Sequence, residues 1–206
     1  MIAIVDAGLG NIAAIATMLR RLGHPTRVAA DPAQLDDASH AILPGVGAFD
    51  HGRASLDRTG FVPALEALRD RGQPVLGICL GMQLLTRRSD EGRLPGLGWI
   101  AGETLSFALD DAARRRLRIP HMGWNSLEVR APGPLLTDLP AEHRFYFVHS
   151  YRVHCDDPAD IAATAWHGHD FVASFRRGNV LGTQFHPEKS HRFGLHLLDR
   201  FARWRP

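Results

Sequence analysis

Four short runs in the first eighty residues constrain the fold more than any other feature of the chain. Ile2-Ala3-Ile4-Val5, Thr26 to Ala29, Ala41 to Leu43 and Pro74 to Ile78 are each only three to five residues long and bounded by turn residues. Such lengths are too short for core helices and read as strands buried on both faces. Helical spacing fills two of the gaps. Asn11 caps a helix reaching about Leu22, stopped by Gly23, and Phe61 to Arg71 forms another with Gly72 behind it. Pro44-Gly45-Val46-Gly47 is expected to break the third strand. Strand and helix alternating over short connections imply a parallel sheet covered on both faces.

From about Gly96 the texture changes. Glu103–Leu105, Ser126–Val129, Phe145–Val148, Ile161–Trp166, Phe171–Arg176 and Val180–Phe185 read as strands separated by turn signals such as Arg177-Gly178-Asn179. Phe193 to Trp204 closes the chain as an amphipathic helix. No linker composition interrupts the 206 residues. The expectation is a single α/β domain over 1–206, a central mostly parallel sheet with helices on both faces and added antiparallel strands.

Composition excludes several functions. A formal charge of +2 gives no electrostatic case for nucleic acid, and 45% hydrophobic with 22% charged residues is ordinary for a globular protein. The basic run Arg114-Arg115-Arg116-Leu117-Arg118 has no interleaved aromatics and reads as a solvated face. The first apolar run meets Asp6 too early for a signal peptide, and no apolar stretch reaches membrane-spanning length. Two cysteines, Cys79 and Cys155, make no disulfide scaffold. A free thiol suits a reducing compartment, by default the cytoplasm.

The chemistry concentrates at Cys79. The strand Pro74 to Ile78 runs straight into it, and Leu80-Gly81-Met82-Gln83-Leu84-Leu85 behind it favours helix. A nucleophile on such a strand-to-helix turn is held in a tight conformation with its side chain exposed. Gly77 and Gly81, two before and two after, keep neighbouring side chains away. The helix N-terminus favours the reactive thiolate, and backbone amides there can bind an oxyanion. By itself the pattern also fits a small core cysteine.

A thiol nucleophile needs a base, and the base an orienting group. His186-Pro187-Glu188 offers both at the end of a strand-like run. Pro187 favours an extended backbone at His186, and residues two apart in an extended segment share a side. Glu188 can then hold one ring nitrogen while the other faces Cys79. Other candidates are weaker. His167-Gly168-His169 lacks a second ligand pair and reads as a turn, so no metal is expected. His191 and His196 read as surface or packing residues. Gly8-Leu9-Gly10-Asn11 lacks the third glycine of a dinucleotide fingerprint, so no cofactor is expected there.

With Gly77-x-Cys79-x-Gly81-x-Gln83 and His186-x-Glu188 both present, the chain resembles the class I (triad) glutamine amidotransferases over nearly its whole length. Within them it is similar to the glutaminase subunits of imidazole glycerol phosphate synthases. The closer match rests on Asp6 to Asn11, Pro44 to Gly47, Pro120-His121-Met122-Gly123-Trp124-Asn125, Tyr146 to Tyr151 and Gln184 to Ser190. The resemblance implies one glutamine amidotransferase type 1 domain that hydrolyses L-glutamine through a glutamyl thioester. It implies a cyclase subunit as partner in a heterodimer, receiving the ammonia for imidazole glycerol phosphate and aminoimidazole carboxamide ribotide synthesis in histidine biosynthesis.

The same resemblance implies the residue roles. Cys79 is the nucleophile, His186 the general base and acid, and Glu188 its orienter. Gln83 and Glu91 match positions that hold glutamine, and the backbone of His149, Ser150 and Tyr151 pairs with its main-chain groups. Gly45, Val46 and Gly47 match the oxyanion strand. Asn11, Trp124, Tyr146 and Lys189 match the synthase interface and ammonia gate. Ala7 replaces a common aromatic, Thr86-Arg87-Arg88 is unusually basic, and the arginine-rich stretch 108–119 has no assigned role. Two alternatives stand beside this reading: an amidotransferase serving anthranilate or pyridoxal phosphate synthesis, and a non-catalytic binding subunit.

Overall fold

The computed structural model describes residues 1–206, the side chain of Arg114 apart. In chain order the strands are β1 (Ile2–Val5), β2 (Thr26–Ala29), β3 (His40–Gly45), β4 (Val75–Cys79), β5 (Gly102–Ser106), β6 (His121–Asn125), β7 (Glu128–Val129), β8 (Phe145–His149), β9 (Tyr151–Cys155), β10 (Ile161–Trp166), β11 (Asp170–Arg177) and β12 (Val180–Thr183). The helices are α1 (Ile12–Arg21), α2 (Phe49–Thr59), α3 (Phe61–Asp70), α4 (Leu80–Leu84), α5 (Asp111–Arg114), α6 (Gly133–Leu136) and α7 (His191–Arg203).

The main sheet runs β2-β1-β3-β4-β12-β11-β10-β7, with β9 joining β11 and β5 joining β9. Its β2-β1-β3-β4-β12 half is parallel, and its remaining pairings are antiparallel. Strands β6 and β8 form a separate antiparallel ribbon. Alternate residues of β1 enter opposite cores, as a strand covered on both faces requires. Ile2 and Ile4 pack with α1 and α7, whereas Ala3 and Val5 pack with α2, α3 and α4. On α7, Phe193, Leu197, Leu198 and Phe201 are buried at helical spacing. Each such side chain removed from water contributes about 1.5–3 kcal/mol. No helix among the described residues is long and apolar enough to cross a membrane.

Most expected elements form. Asn11 caps α1, its side chain accepting from the Ala14 amide at 3.4 Å. The Arg177-Gly178-Asn179 turn joins β11 to β12 as a hairpin, and His167-Gly168-His169 turns β10 into β11.

Several expectations are corrected. Pro44 does not break β3, which continues to Gly45. Strand β1 pairs with β3 only as far as Ile42, so the missing N–H of Pro44 interrupts no ladder there. The expected strands at Ser126–Val129 and Val180–Phe185 shorten to Glu128–Val129 and Val180–Thr183. Helix α2 and strands β6 and β9 were not expected.

The basic 86–88 region is tied down by ion pairs. Arg87 meets Asp156 at 2.7 Å, and Arg88 meets Glu103 at 2.7 Å and Asp90 at 3.1 Å. In the arginine run, Arg115, Arg116 and Arg118 are exposed, while the Arg114 side chain lies outside the described residues.

Candidate active site

The parallel pairing of β3, β4 and β12 builds the site. Their register places Gly45 opposite Cys79 on one flank and Thr183 opposite Ile78 on the other. Cys79 therefore sits at the carboxyl end of a central strand, where open α/β sheets leave a crevice. The chain leaving β12 delivers His186 to the same edge, closing the 107-position gap in sequence.

Cys79 has φ 53° and ψ −110°, a left-handed-side conformation that costs a non-glycine residue energy and holds the nucleophile in a fixed turn. Three glycines allow that turn to pack. A Cβ on Gly81 would lie 1.9 Å from the Leu43 carbonyl oxygen, and one on Gly45 2.6 Å from the Gly81 nitrogen. One on Gly77 would lie 2.7 Å from the Gly81 carbonyl. The expected exposure of Cys79 is corrected: it is only 7% exposed, its sulfur 3.9 Å from the Val148 carbonyl beneath the end of β8. The following helix, α4, is also only five residues long.

His186 and Glu188 do form a pair, with Nδ1 of the ring 2.7 Å from Oε1 of the carboxylate and both side chains 2% exposed. The route differs from the expected strand alternation. His186 is extended, but Pro187–Lys189 is a turn of 3-10 helix that folds Glu188 back onto the ring. Ser190 locks the turn, donating to the His186 carbonyl at 2.6 Å and accepting from the Tyr146 amide at 3.0 Å. Burial opposes charge on His186, yet interactions with Cys79 and Glu188 outweigh it and raise its pKa to about 9. Nε2 of His186 is buried without a hydrogen-bond partner among the described residues, as suits a nitrogen reserved for the sulfur.

A cleft of about 310 Å³ opens above Cys79, at the lower end of the usual range of roughly 300–1,000 Å³ for small-molecule sites. Its walls include Val46, Gly47, Gln83, Glu91, His149, Ser150, Tyr151 and His186, with Leu80, Pro120 and Val148 in addition. Gly45, expected with Val46 and Gly47, is not part of that lining and instead pairs with Cys79 across β3 and β4, and Gly47 has φ +99°. The Glu91 carboxylate accepts from the Phe49 amide at 2.9 Å, at the positive end of α2. Asp50 in the same first turn accepts from Arg93 and Leu94 at 2.9 and 3.0 Å, and these amides hold its carboxyl below the usual range. The Glu91 loop is thereby clamped to α2.

A buried chain of neutral groups underlies the His149 wall. His149 Nδ1 faces the Tyr151 carbonyl at 2.7 Å and so carries its hydrogen. His149 Nε2 then accepts from His121 Nδ1 at 2.9 Å, and His121 Nε2 accepts from the Asn125 amide at 3.3 Å. Burial is the main cause holding His121 down to about 4 and His149 to about 3.

Trp124, Tyr146 and Lys189 cluster away from the cleft. The Trp124 and Tyr146 rings lie 6.0 Å apart edge to face, and the Lys189 ammonium is 5.7 Å from the Tyr146 ring. His191 stacks on Trp124 at 5.4 Å, and His196 meets the Thr137 carbonyl at 3.0 Å, both as packing residues. Asn11 is exposed at the start of α1, which packs against the Pro187–Lys189 turn.

Residues 3–203 match the family model described as glutamine amidotransferase class-I. The chain belongs to that family. Similar relatives include the imidazole glycerol phosphate synthase subunit HisH of Bdellovibrio bacteriovorus, 46% identical, with 98% of this chain and 99% of that one covered. The subunit HisH 2 of Methanococcus maripaludis is 42% identical, covering 98% of this chain and 99% of its own. A chain of the PurLQS structure from Thermotoga maritima shares the fold, with a TM-score of 0.71 at 21% identity and 97% and 94% of the two chains covered. This amidotransferase thus gathers its expected cysteine, histidine and glutamate at one edge of the sheet. The residue missed from sequence is Gln184, fully buried, whose side-chain nitrogen lies 3.8 Å from the Cys79 sulfur. Its spacing two before His186 was the available signal.

Proposed function

We propose that this chain is the glutaminase subunit of an imidazole glycerol phosphate synthase, acting as one domain over residues 1–206. It hydrolyses L-glutamine to glutamate and passes ammonia to a cyclase subunit. There the ammonia enters imidazole glycerol phosphate and aminoimidazole carboxamide ribotide, in histidine biosynthesis. The relatives' names support the subunit assignment.

In this reading the Cys79 thiolate attacks the side-chain carboxamide carbon of glutamine. The developing oxyanion meets backbone amides of the Gly45-Val46-Gly47 strand. His186 gives a proton to the leaving nitrogen, so ammonia departs and a glutamyl thioester remains. Water then attacks the thioester, His186 takes its proton, and glutamate leaves as the thiolate is restored. Glu188 keeps Nδ1 protonated and the ring aimed at the sulfur. Glu91 receives the substrate ammonium, with Gln83 and the backbone of His149, Ser150 and Tyr151 holding the rest. Asn11, Trp124, Tyr146 and Lys189 face the cyclase and the ammonia route. The chemistry requires no cofactor, and a reducing cytoplasm keeps the thiol free.

The observation that carries the proposal is the positive-φ Cys79, paired with Gly45 in the sheet and sharing its cleft with the His186 that Glu188 holds. The test measures ammonia release from glutamine by the purified chain, alone and with a cyclase subunit and its ligand. Strong stimulation by the cyclase is expected. Full-rate release by the chain alone would refute the coupling, and no release in the assembled complex would refute the glutaminase reading.

A further inference from the structure

Gln184 has no part in the reaction set out above, yet it is fully buried and in contact with the nucleophile. Its Nε2 lies 3.8 Å from the Cys79 sulfur, and its Oε1 accepts from Gln83 Nε2 at 3.1 Å. Gln83 Nε2 also donates to the Tyr151 carbonyl at 3.2 Å. That backbone oxygen can only accept, so it fixes which end of the Gln83 amide is nitrogen. Gln83 in turn fixes Gln184, turning an N–H toward the sulfur. A main-chain carbonyl thus orients two carboxamides in series.

The sulfur's surroundings distinguish its two forms. As a thiol, Cys79 donates to the Val148 carbonyl at 3.9 Å. As a thiolate it has nothing to donate and needs donors in a buried site, where an unpaired charge is costly. His186 supplies one. The geometry points to Gln184 as a further catalytic residue: its carboxamide N–H donates to the Cys79 sulfur and stabilises the thiolate that attacks glutamine. The glutamine step rests on the glutaminase reading, whereas the donor role does not. The alternative is that Gln184 only fills space beneath the sheet edge.

The experiment is carbamidomethylation of the full-length chain by iodoacetamide across pH, with mass spectrometry assigning the label to Cys79. Cys155 is buried, with its thiol pushed up to about 12, and does not compete. Gln184→Met should shift the labelling profile upward by about one pH unit, a roughly tenfold slower reaction below the midpoint. Gln184→Glu keeps the shape but sets an acceptor against the sulfur, and its shift should be larger. If Gln184→Met does not fold, Gln184→Leu, which also removes the donor without adding a charge, decides in its place. Profiles superimposable on the unmodified protein, with only stability lowered, would overturn the proposal. Labelling needs no glutamine, so the two claims separate. The expected shifts in a protein that never hydrolyses glutamine with a cyclase would refute the glutaminase reading and leave the donor role standing.

Discussion

Mild acid should destabilise this protein through its buried histidines. His40, His121 and His149 are 0%, 6% and 5% exposed, and burial first of all holds them down to about 4, 4 and 3. The folded state keeps all three neutral, while the unfolded chain binds a proton at each near pH 6.5. Their contribution is present above pH 6.5 and is lost as pH falls toward 4. His186 has the opposite sign: raised to about 9, it stabilises fully below pH 6.5 and loses that contribution as pH rises through 9. From pH 7 to pH 5 each neutral histidine removes roughly 2 kcal/mol in the buried limit, and His186 returns roughly 1 kcal/mol. The net loss is about 5 kcal/mol in that limit, a large share of the roughly 5–15 kcal/mol that holds a domain folded. Urea unfolding followed by tryptophan fluorescence at constant ionic strength measures this directly. His40→Gln, far from the cleft, should remove about 2 kcal/mol of that loss by deleting one of three titrations. Equal or greater stability at pH 5 than at pH 7 would refute the burial argument.

Other outcomes follow from the site. Cys79→Ala should abolish glutamine-driven synthesis in the assembled complex yet leave ammonia-driven synthesis by the cyclase intact. Loss of both would show that Cys79 does more than hydrolyse glutamine. His186→Ala should lower glutamine turnover more than Glu188→Gln does, because a proton carrier is harder to replace than an orienter. Equal losses in steady-state assays would contradict those roles. Gly81→Ala forces a Cβ to within 1.9 Å of the Leu43 carbonyl. It should cost about 1–3 kcal/mol in urea unfolding and displace Cys79, and unchanged stability and turnover would contradict the packing argument.

Legibility in the sequence followed the burial pattern of each element. Strands β1 and β4 are buried along their whole length and their apolar runs are visible directly. Helix α2 was invisible for a definite reason. Its buried face is Phe49, Gly52, Ser55 and Leu56, so two of four inward positions carry no apolar signal. Gly52 is there because Leu80 and Leu84 come within 3.0 and 3.2 Å of where its Cβ would be, and Ser55 because its hydroxyl donates to the Ala7 carbonyl at 2.6 Å. Ribbon strand β6 hid similarly, since Met122 and Trp124 are exposed and Gly123 has φ +133°.

The site shows the same division at finer scale. Gly77, Cys79 and Gly81 are local, and the spacing of a strand, a nucleophile and two small residues gives away the turn. The His186–Glu188 contact was expected for the wrong geometric reason, because alternation along an extended chain was applied across Pro187. A proline after His186 starts a 3-10 turn here, and a turn brings residues two apart together by curling rather than by sharing a strand face. The residues that do share a side are Gln184 and His186, both against Cys79. A carboxamide two positions before the histidine therefore belongs to the nucleophile's surroundings by the same logic that assigned the base. Its partner Gln83 ties that surrounding to the Tyr151 carbonyl in the cleft wall.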